Sequence, residues 1–133
     1  MRFTEKLTLS MKFHEHVKFK SEFKNFCKKH KTAIKGFESL QRLLVVQFDP
    51  LSPSLVIHPG KIHRMQEFSG GVSVLWKVEI VIPGSGLRPN QWPRLCFSVT
   101  GDTIIFLAFA THQDNYDNAI FENYAIDRFG DFD

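Results

Sequence analysis

An alternation of apolar and polar residues in the second half of the chain constrains the fold more than any other feature. The runs Val72–Ile82 (VSVLWKVEIVI), Leu95–Thr100 (LCFSVT) and Thr103–Thr111 (TIIFLAFAT) follow the period-two pattern of strands. The first run is stopped by Pro83-Gly84-Ser85-Gly86, and Gly101-Asp102 predicts a tight turn between the other two. Strands joined as hairpins are antiparallel. The sequence therefore predicts a meander of three strands.

The first third of the chain predicts one strand and two helices. In Lys12–Lys20 (KFHEHVKFK) the apolar residues fall on alternate positions, which predicts a half-buried strand. Ser21 is then predicted to cap a helix, after which apolar residues recur at helical spacing. Because Lys35-Gly36 interrupts this spacing, we predict two helices that form a hairpin. Asp49-Pro50 should end the second helix, since the residue before a proline avoids the helical conformation.

The remaining segments complete an α+β domain. Residues 50–71 contain three of the six prolines and form a long connection, in which Leu55–His58 is a candidate short strand. Asn118–Phe129 places its apolar residues on one face of a helix. The predicted order is an N-terminal strand, a helical hairpin, an antiparallel three-to-four-stranded sheet and a C-terminal helix, in one domain over residues 1–133. Such a sheet would carry the hairpin on one face and leave the other partly open to a ligand.

Charge and hydropathy narrow the functional class. Lys and Arg number 13 against 6 Asp and Glu in residues 1–75, but 4 against 8 in residues 76–133, so one basic surface could meet a polyanion. No apolar run approaches the roughly 18 residues of a membrane span, and Met1–Ser10 lacks the apolar stretch of a signal peptide. We therefore expect a cytoplasmic protein with no membrane partner. Cys27 and Cys96 lack metal-site spacing and are expected to be reduced core residues.

Three short blocks in the second half carry a family resemblance. They are Trp76–Ile80 (WKVEI), Pro93–Phe97 (PRLCF) and Ile104–Tyr116 (IIFLAFATHQDNY). In these blocks and in the predicted order of elements, the chain resembles the RelE/ParE toxin superfamily over about residues 11–129. The resemblance implies a RelE-like fold. For the ribonuclease members it implies metal-independent cutting of messenger RNA, usually on the ribosome, and neutralisation by an antitoxin.

The resemblance assigns catalytic roles to side chains near the strand ends. Arg94 stands where ribonuclease members carry an arginine that faces the scissile phosphate, which a planar guanidinium binds through two hydrogen bonds. His112 follows the last strand, where an imidazole is suited to move a proton to or from the reacting oxygens. Tyr116 would stack on a base or donate a proton; alternatively it anchors the terminal helix, with Asp117 as the helix cap.

Lys77 and Glu79 are further catalytic candidates in the central strand. Ribonuclease relatives often carry a basic residue at the position of Lys77, where an ammonium group would hold the phosphate. Strand alternation puts Lys77 and Glu79 on one face, with Trp76 and Val78 on the other. Glu79 would act as a general base, as a carboxylate does in some members, or it would neutralise Lys77 in an ion pair. The sequence leaves both open.

Basic residues outside the strands are RNA-binding candidates. His58, His63 and Arg64 lie ahead of the central strand, where relatives often carry basic or histidine residues. Phosphate contacts from such residues position an RNA without reading its sequence. Two histidines five residues apart are a poor metal signal, so we expect no metal and no cofactor.

The loop Pro83–Pro93 is longer than the turn that family members usually have at this place. It either carries Arg88 and Trp92 toward the substrate or is simply a long hairpin loop.

These residues together predict a toxin endoribonuclease whose partners are messenger RNA, the ribosome and a cognate antitoxin. Two alternatives stay open. A relative that poisons DNA gyrase would share the fold but generally lack the catalytic side chains, and a toxin fold without activity would serve only as a binding protein. Glu79 and the acidic second half best support the non-catalytic alternative.

Overall fold

The fold is seen in a computed structural model that describes residues 11–88, 91–111 and 118–132. Those residues form an α+β structure, as predicted. Its elements are β1 (Lys12–Glu15), α1 (Val17–Lys29), α2 (Ala33–Gln47), β2 (Ile62–Phe68), β3 (Ser73–Glu79), β4 (Arg94–Thr100), β5 (Thr103–Ala110) and α3 (Asn118–Phe129). No helix in the described ranges combines the length and the apolar character needed to cross a membrane.

All five strands belong to one sheet, in the order β1-β5-β4-β3-β2. The meander β3-β4-β5 is antiparallel, as predicted, and Gly101 takes the positive φ of 57° that its tight turn requires. The expectation of three to four antiparallel strands is wrong in two respects. β1 runs parallel to β5, because the helical hairpin carries the chain from one edge of the sheet to the other. β2 adds a fifth strand, antiparallel to β3, inside the region expected to be a connection.

A β-bulge inside β2 explains why the sequence pattern did not predict this strand. The pairing of β2 with β3 shifts register between Arg64 and Gln66, so the alternation of buried and exposed residues breaks inside the strand. The apolar segment Leu55–His58, which was the candidate strand, is not one. The backbone N–H groups of Val56 and Ile57 donate to the buried side chain of Gln47 at 3.2 and 2.8 Å. A side chain of α2, rather than a neighbouring strand, therefore holds this segment.

The first strand is shorter than the alternation predicted. β1 ends at Glu15, and residues 17–20 already belong to α1. Val17 and Phe19, which a strand would place on the same face, are 72% and 0% exposed. The alternation in this segment was therefore misleading, because residues two apart in a helix point about 200° apart, so Val17 faces solvent while Phe19 faces the core.

His16, and not Ser21, caps α1. Its Nδ1 accepts the backbone N–H of Lys18 at 3.0 Å, which satisfies one of the unpaired donors at the helix start. Its Nε2 lies 2.6 Å from Oδ2 of Asp131, beyond the end of α3. The imidazole is buried, and the neutral tautomer with the proton on Nε2 satisfies both contacts.

The hairpin turns at residues 30–32, three residues before the predicted break. Gly36 lies inside α2 and is buried, where a Cβ atom would overlap the carbonyl oxygen of Val81. The glycine thus lets the helix approach the chain that leaves β3, and it does not end a helix. The far end of α2, at Gln47, agrees with the expected stop at Asp49-Pro50.

Phenylalanine rings fill the layer between the hairpin and the sheet. The chain has 14 of them, and Phe19 of α1 is fully buried at the centre of this layer. Its ring centroid lies 5.7 Å from that of Phe37 in α2 and 5.6 Å from that of Phe106 in β5. Ring pairs at these separations bury large apolar areas and add an attraction of about 0.5–1.5 kcal/mol each. This aromatic layer fixes the hairpin on one face of the sheet.

The opposite face is only partly covered. Phe121, Ala125 and Phe129 of α3 pack in one buried cluster with Leu75 of β3 and Cys96 of β4. The helix makes most of its sheet contacts with β5 and β4, and the ring of Phe129 also stacks on that of Phe68 in β2, with the ring centroids 4.9 Å apart. The cluster leaves out the end of this face at His63, Lys77, Glu79 and Arg94, where β2 begins, β3 ends and β4 begins.

An ion pair between a buried arginine and a partly buried glutamate ties the two helical layers together around β5. Arg128 of α3 makes two hydrogen bonds of 2.8 Å to the carboxylate of Glu22 in α1. The same guanidinium donates to the carbonyl of Leu107 at 2.9 Å, and the backbone N–H of Phe109 donates to Glu22 at 3.1 Å. β1 pairs with β5 only as far as Phe106, so the carbonyl of Leu107 and the N–H of Phe109 lie beyond its reach and bond to the ion pair instead.

The Glu22→Gln variant should be less stable by about 2–3 kcal/mol in urea unfolding, because it leaves the buried guanidinium of Arg128 without a counter-charge. Glu67→Gln provides a matched control. Its ion pair with Arg64 joins two side chains that are about half exposed, so its removal should cost under about 1 kcal/mol. Equal losses in the two variants would contradict the structural role given to the buried pair.

The Gly36→Ala variant tests the close approach of α2 to the chain after β3. Alanine normally stabilises a helix interior by about 1 kcal/mol relative to glycine. Here we expect destabilisation by about 1–3 kcal/mol, since the new methyl group overlaps Val81. Gly130→Ala is the control, because no atom lies within 4 Å of its added Cβ. An increase in the unfolding temperature of Gly36→Ala would show that the helix does not approach so closely.

Candidate functional site

A polar recess opens at the end of this sheet face that the α3 cluster leaves uncovered. It has a volume of about 130 Å³ and is lined by Lys61, His63, Lys77, Val78, Glu79 and Arg94. Three of these side chains are cationic and one is a carboxylate. A recess with an excess of positive charge attracts an oxyanion, and a carboxylate or imidazole at its edge can exchange protons with a bound group.

Strand register brings these residues together. His63 of β2 is the cross-strand partner of Lys77, and Glu79 is that of Arg94. Lys77 and Glu79 alternate with Val78, which is buried in the hairpin core. Their predicted placement on one face is therefore confirmed. Glu79 stands across from Arg94 at the end of β3, and on its other side its backbone N–H donates to the carbonyl of Lys61 at 3.0 Å.

Lys61 is a lining residue that the sequence did not single out. Its ammonium nitrogen lies 4.4 Å from the centroid of the Trp92 ring, which stands just before β4. The only sequence signal was its position two residues before His63, which in a strand means the same face. Because the bulge breaks the alternation in β2, the sequence did not predict a strand there, and this two-residue spacing could not be interpreted as a shared face.

The other RNA-binding candidates lie outside the recess. Arg64 is the cross-strand partner of Trp76, whose ring packs with the hairpin core, and its guanidinium pairs with Glu67. Arg88 is exposed in the loop after β3, where its backbone N–H donates to the side chain of Gln91. Neither residue lines the recess with Lys77 and Arg94.

His58 borders a second, apolar cavity. This cavity of about 390 Å³ lies between α2 and the end of β3, and its walls include Leu40, Leu43, Ile57 and Val81. The imidazole of His58 accepts the backbone N–H of Gly60 at 2.9 Å. Lys61, Val78 and Glu79 line both cavities, so the apolar cavity and the recess adjoin across the β2–β3 pair.

His112 and Tyr116 lie outside the described residues. In the sequence, His112 follows two residues after Ala110, and Ala110 is the cross-strand partner of Arg94. Their catalytic roles remain predictions. Among the described residues, no group of three or more His, Cys, Asp or Glu side chains could hold a metal ion.

Cys96 lies beside the recess as the β4 partner of Lys77. Both cysteines are free, as expected, but only Cys96 is fully buried. Burial raises the pKa of the Cys96 thiol to about 12, with a further rise from Glu122 that the cations Lys77 and Arg128 oppose. The thiol is therefore neutral at physiological pH, and it belongs to the core under the recess rather than to a reactive site.

No family model, no curated protein and no solved structure matches this chain.

Native-state alkylation at pH 8 should distinguish the two cysteines. Iodoacetamide reacts with thiolates, so Cys96 should stay unmodified while the half-buried Cys27 reacts slowly, because burial raises the pKa of Cys27 as well. In denaturant both should react at similar rates. Peptide mass spectrometry measures the two sites separately, and modification of native Cys96 as fast as Cys27 would contradict its place in the core.

Proposed function

We propose that this protein is an endoribonuclease of the RelE type, which cuts messenger RNA without a metal and acts as the toxin of a toxin-antitoxin pair. The observation that supports it most is the convergence of Lys77, Arg94, His63 and Glu79 in one recess on an open sheet face. These four residues come from three neighbouring strands, β2, β3 and β4. Such a set is suited to hold a phosphodiester and to transfer protons beside it.

Arg94 and Lys77 would bind the scissile phosphate in this proposal. A guanidinium presents two parallel N–H donors to phosphate oxygens, and an ammonium adds a compact charge. Charge accumulates on the non-bridging oxygens in the transition state, where fixed cations stabilise it most. The rigid strands β3 and β4 carry both side chains, which limits the reorganisation needed when the RNA binds.

The reaction would be attack of a ribose 2′-oxygen on the adjacent phosphorus. A bond forms between that oxygen and phosphorus, and the bond from phosphorus to the 5′-oxygen breaks. The products are a 2′,3′-cyclic phosphate and a 5′-hydroxyl. Glu79 is the candidate base for the 2′-hydroxyl proton, and His112, with Tyr116 as the alternative, is the candidate acid for the leaving oxygen. His63 would contact the phosphate next to the scissile one.

The apolar cavity between α2 and β3 is the candidate surface for an antitoxin segment. Its walls combine apolar residues of α2 with Val56 and Val81, which are 43% and 44% exposed. An amphipathic peptide that covered these side chains would also reach Lys61 and Glu79 at the rim of the recess. Occupation of the cavity would in this way hinder access of RNA.

The Arg94→Ala variant tests the proposal. Expression of the parent chain should produce new RNA ends with 5′-hydroxyl groups in cellular messenger RNA, mapped by sequencing. Arg94→Ala should lower the cleavage rate about 10²–10³-fold, the usual effect of removing one group that stabilises developing charge. Arg42→Ala is the matched control, since Arg42 is an exposed residue of α2 that bonds to Ser39.

Circular dichroism would verify that both variants fold. Cleavage by Arg94→Ala at the parental rate would overturn the proposed site. Growth arrest with intact messenger RNA and broken DNA would instead indicate a gyrase poison, and absence of both would indicate a binding protein.

A further inference from the structure

We infer that Trp92 holds Lys61 in the recess, so that Lys61 is a phosphate-binding residue and Trp92 is its positioning residue. The inference rests on the proposed function in one respect, namely that the ligand is a phosphate of RNA. The contact that carries it is the ammonium of Lys61, 4.4 Å from the centre of the indole ring. Lys61 also lines the recess with Lys77 and Arg94.

The backbone of Lys61 is fixed on both sides. Its N–H donates to the carbonyl of His58 at 2.9 Å, and its carbonyl accepts the N–H of Glu79 at 3.0 Å. The first bond closes a turn, and the second extends the β2–β3 ladder by one residue. The starting point of the side chain is therefore rigid, and only its four-carbon stem is left to be ordered.

Trp92 is equally well held. The carbonyl of the next residue, Pro93, accepts the N–H of Ile80 at 3.0 Å, and Pro93 is fully buried. Earlier in the loop, Leu87 packs against the hairpin core, while Arg88 and Gln91 exchange two hydrogen bonds of 2.8 and 3.0 Å. The long loop after β3 thus presents its indole at a defined place beside the recess.

An aromatic ring suits this task better than a carboxylate. A lysine side chain has about 2 kcal/mol of rotamer entropy, which a phosphate contact must otherwise overcome. The ring attracts the ammonium through its quadrupole and carries no net charge. The ring contact therefore adds no counter-charge to Lys61. A carboxylate in the same position would compete with the phosphate.

A double-mutant cycle on RNA affinity tests the pair. The probe is a 20-nucleotide RNA with 2′-O-methyl groups, which binds but lacks the attacking hydroxyl. Lys61→Met, which keeps the apolar stem, should weaken binding about tenfold, and Trp92→Leu about three- to tenfold, as expected for a cation–π contact. The double variant should bind no more weakly than Lys61→Met alone, because Trp92 acts through Lys61.

Two further variants separate positioning from packing. Trp92→Phe retains a π face and should bind within about twofold of the parent, whereas Trp92→Leu retains apolar bulk without one. His14→Ala, in the exposed part of β1, is the control for changes outside the recess. Parental affinity of Trp92→Leu, or weakening in the double variant equal to the product of the two single effects, would overturn the inference.

The same experiments test the proposed function separately from the positioning role of Trp92. If the parent binds the probe and Trp92→Leu weakens it, but no unmodified RNA is cut, then the recess binds phosphate and the nuclease proposal fails. If RNA is cut and Trp92→Leu changes neither affinity nor KM, then the nuclease stands and the positioning role fails.

Discussion

The bidentate pair of Glu22 and Arg128 is the contact on which the arrangement of the two helical layers depends. It joins α1 and α3, which lie on opposite faces of the sheet, around the part of β5 that β1 does not reach. It also satisfies the carbonyl of Leu107 and the N–H of Phe109. A lone charge at this depth would be costly, so each residue requires the other. The pair holds α3 over β5 and β4, and the end of that face at His63, Lys77, Glu79 and Arg94 stays outside the α3 cluster.

Charged side chains gather on one face of β3 because the alternate residues of the strand are apolar and face the hairpin core. In β3, alternate residues are used by the hairpin core, and Lys77 and Glu79 are left for the recess. The site therefore combines cations from separate strands with one carboxylate among the described lining residues, that of Glu79 opposite Arg94. That composition fits both binding of a phosphodiester and proton transfer beside it. The aromatic contact of Lys61 adds a cation without adding a competing anion.

The segments with the clearest apolar periodicity were predicted correctly, because they form regular strands and a regular helix. The period-two runs predicted β3, β4 and β5, and the helical spacing predicted α3 with the bounds Asn118–Phe129. The same alternation failed for residues 17–20, where a histidine cap starts a helix, and for β2, where a bulge interrupts it. Gly36 was interpreted as a helix breaker, although its role is to admit the carbonyl of Val81.

The sequence alone determined the α+β class, the antiparallel meander and the shared face of Lys77 and Glu79, because local periodicity depends only on which side chains avoid water. Tertiary structure decided the rest. The parallel pairing of β1 with β5 and the approach of Trp92 to Lys61 join residues that are distant in the chain. Neither has a local pattern, since both arise from packing between elements. The recess results from that packing, and its residues can be tested by mutation.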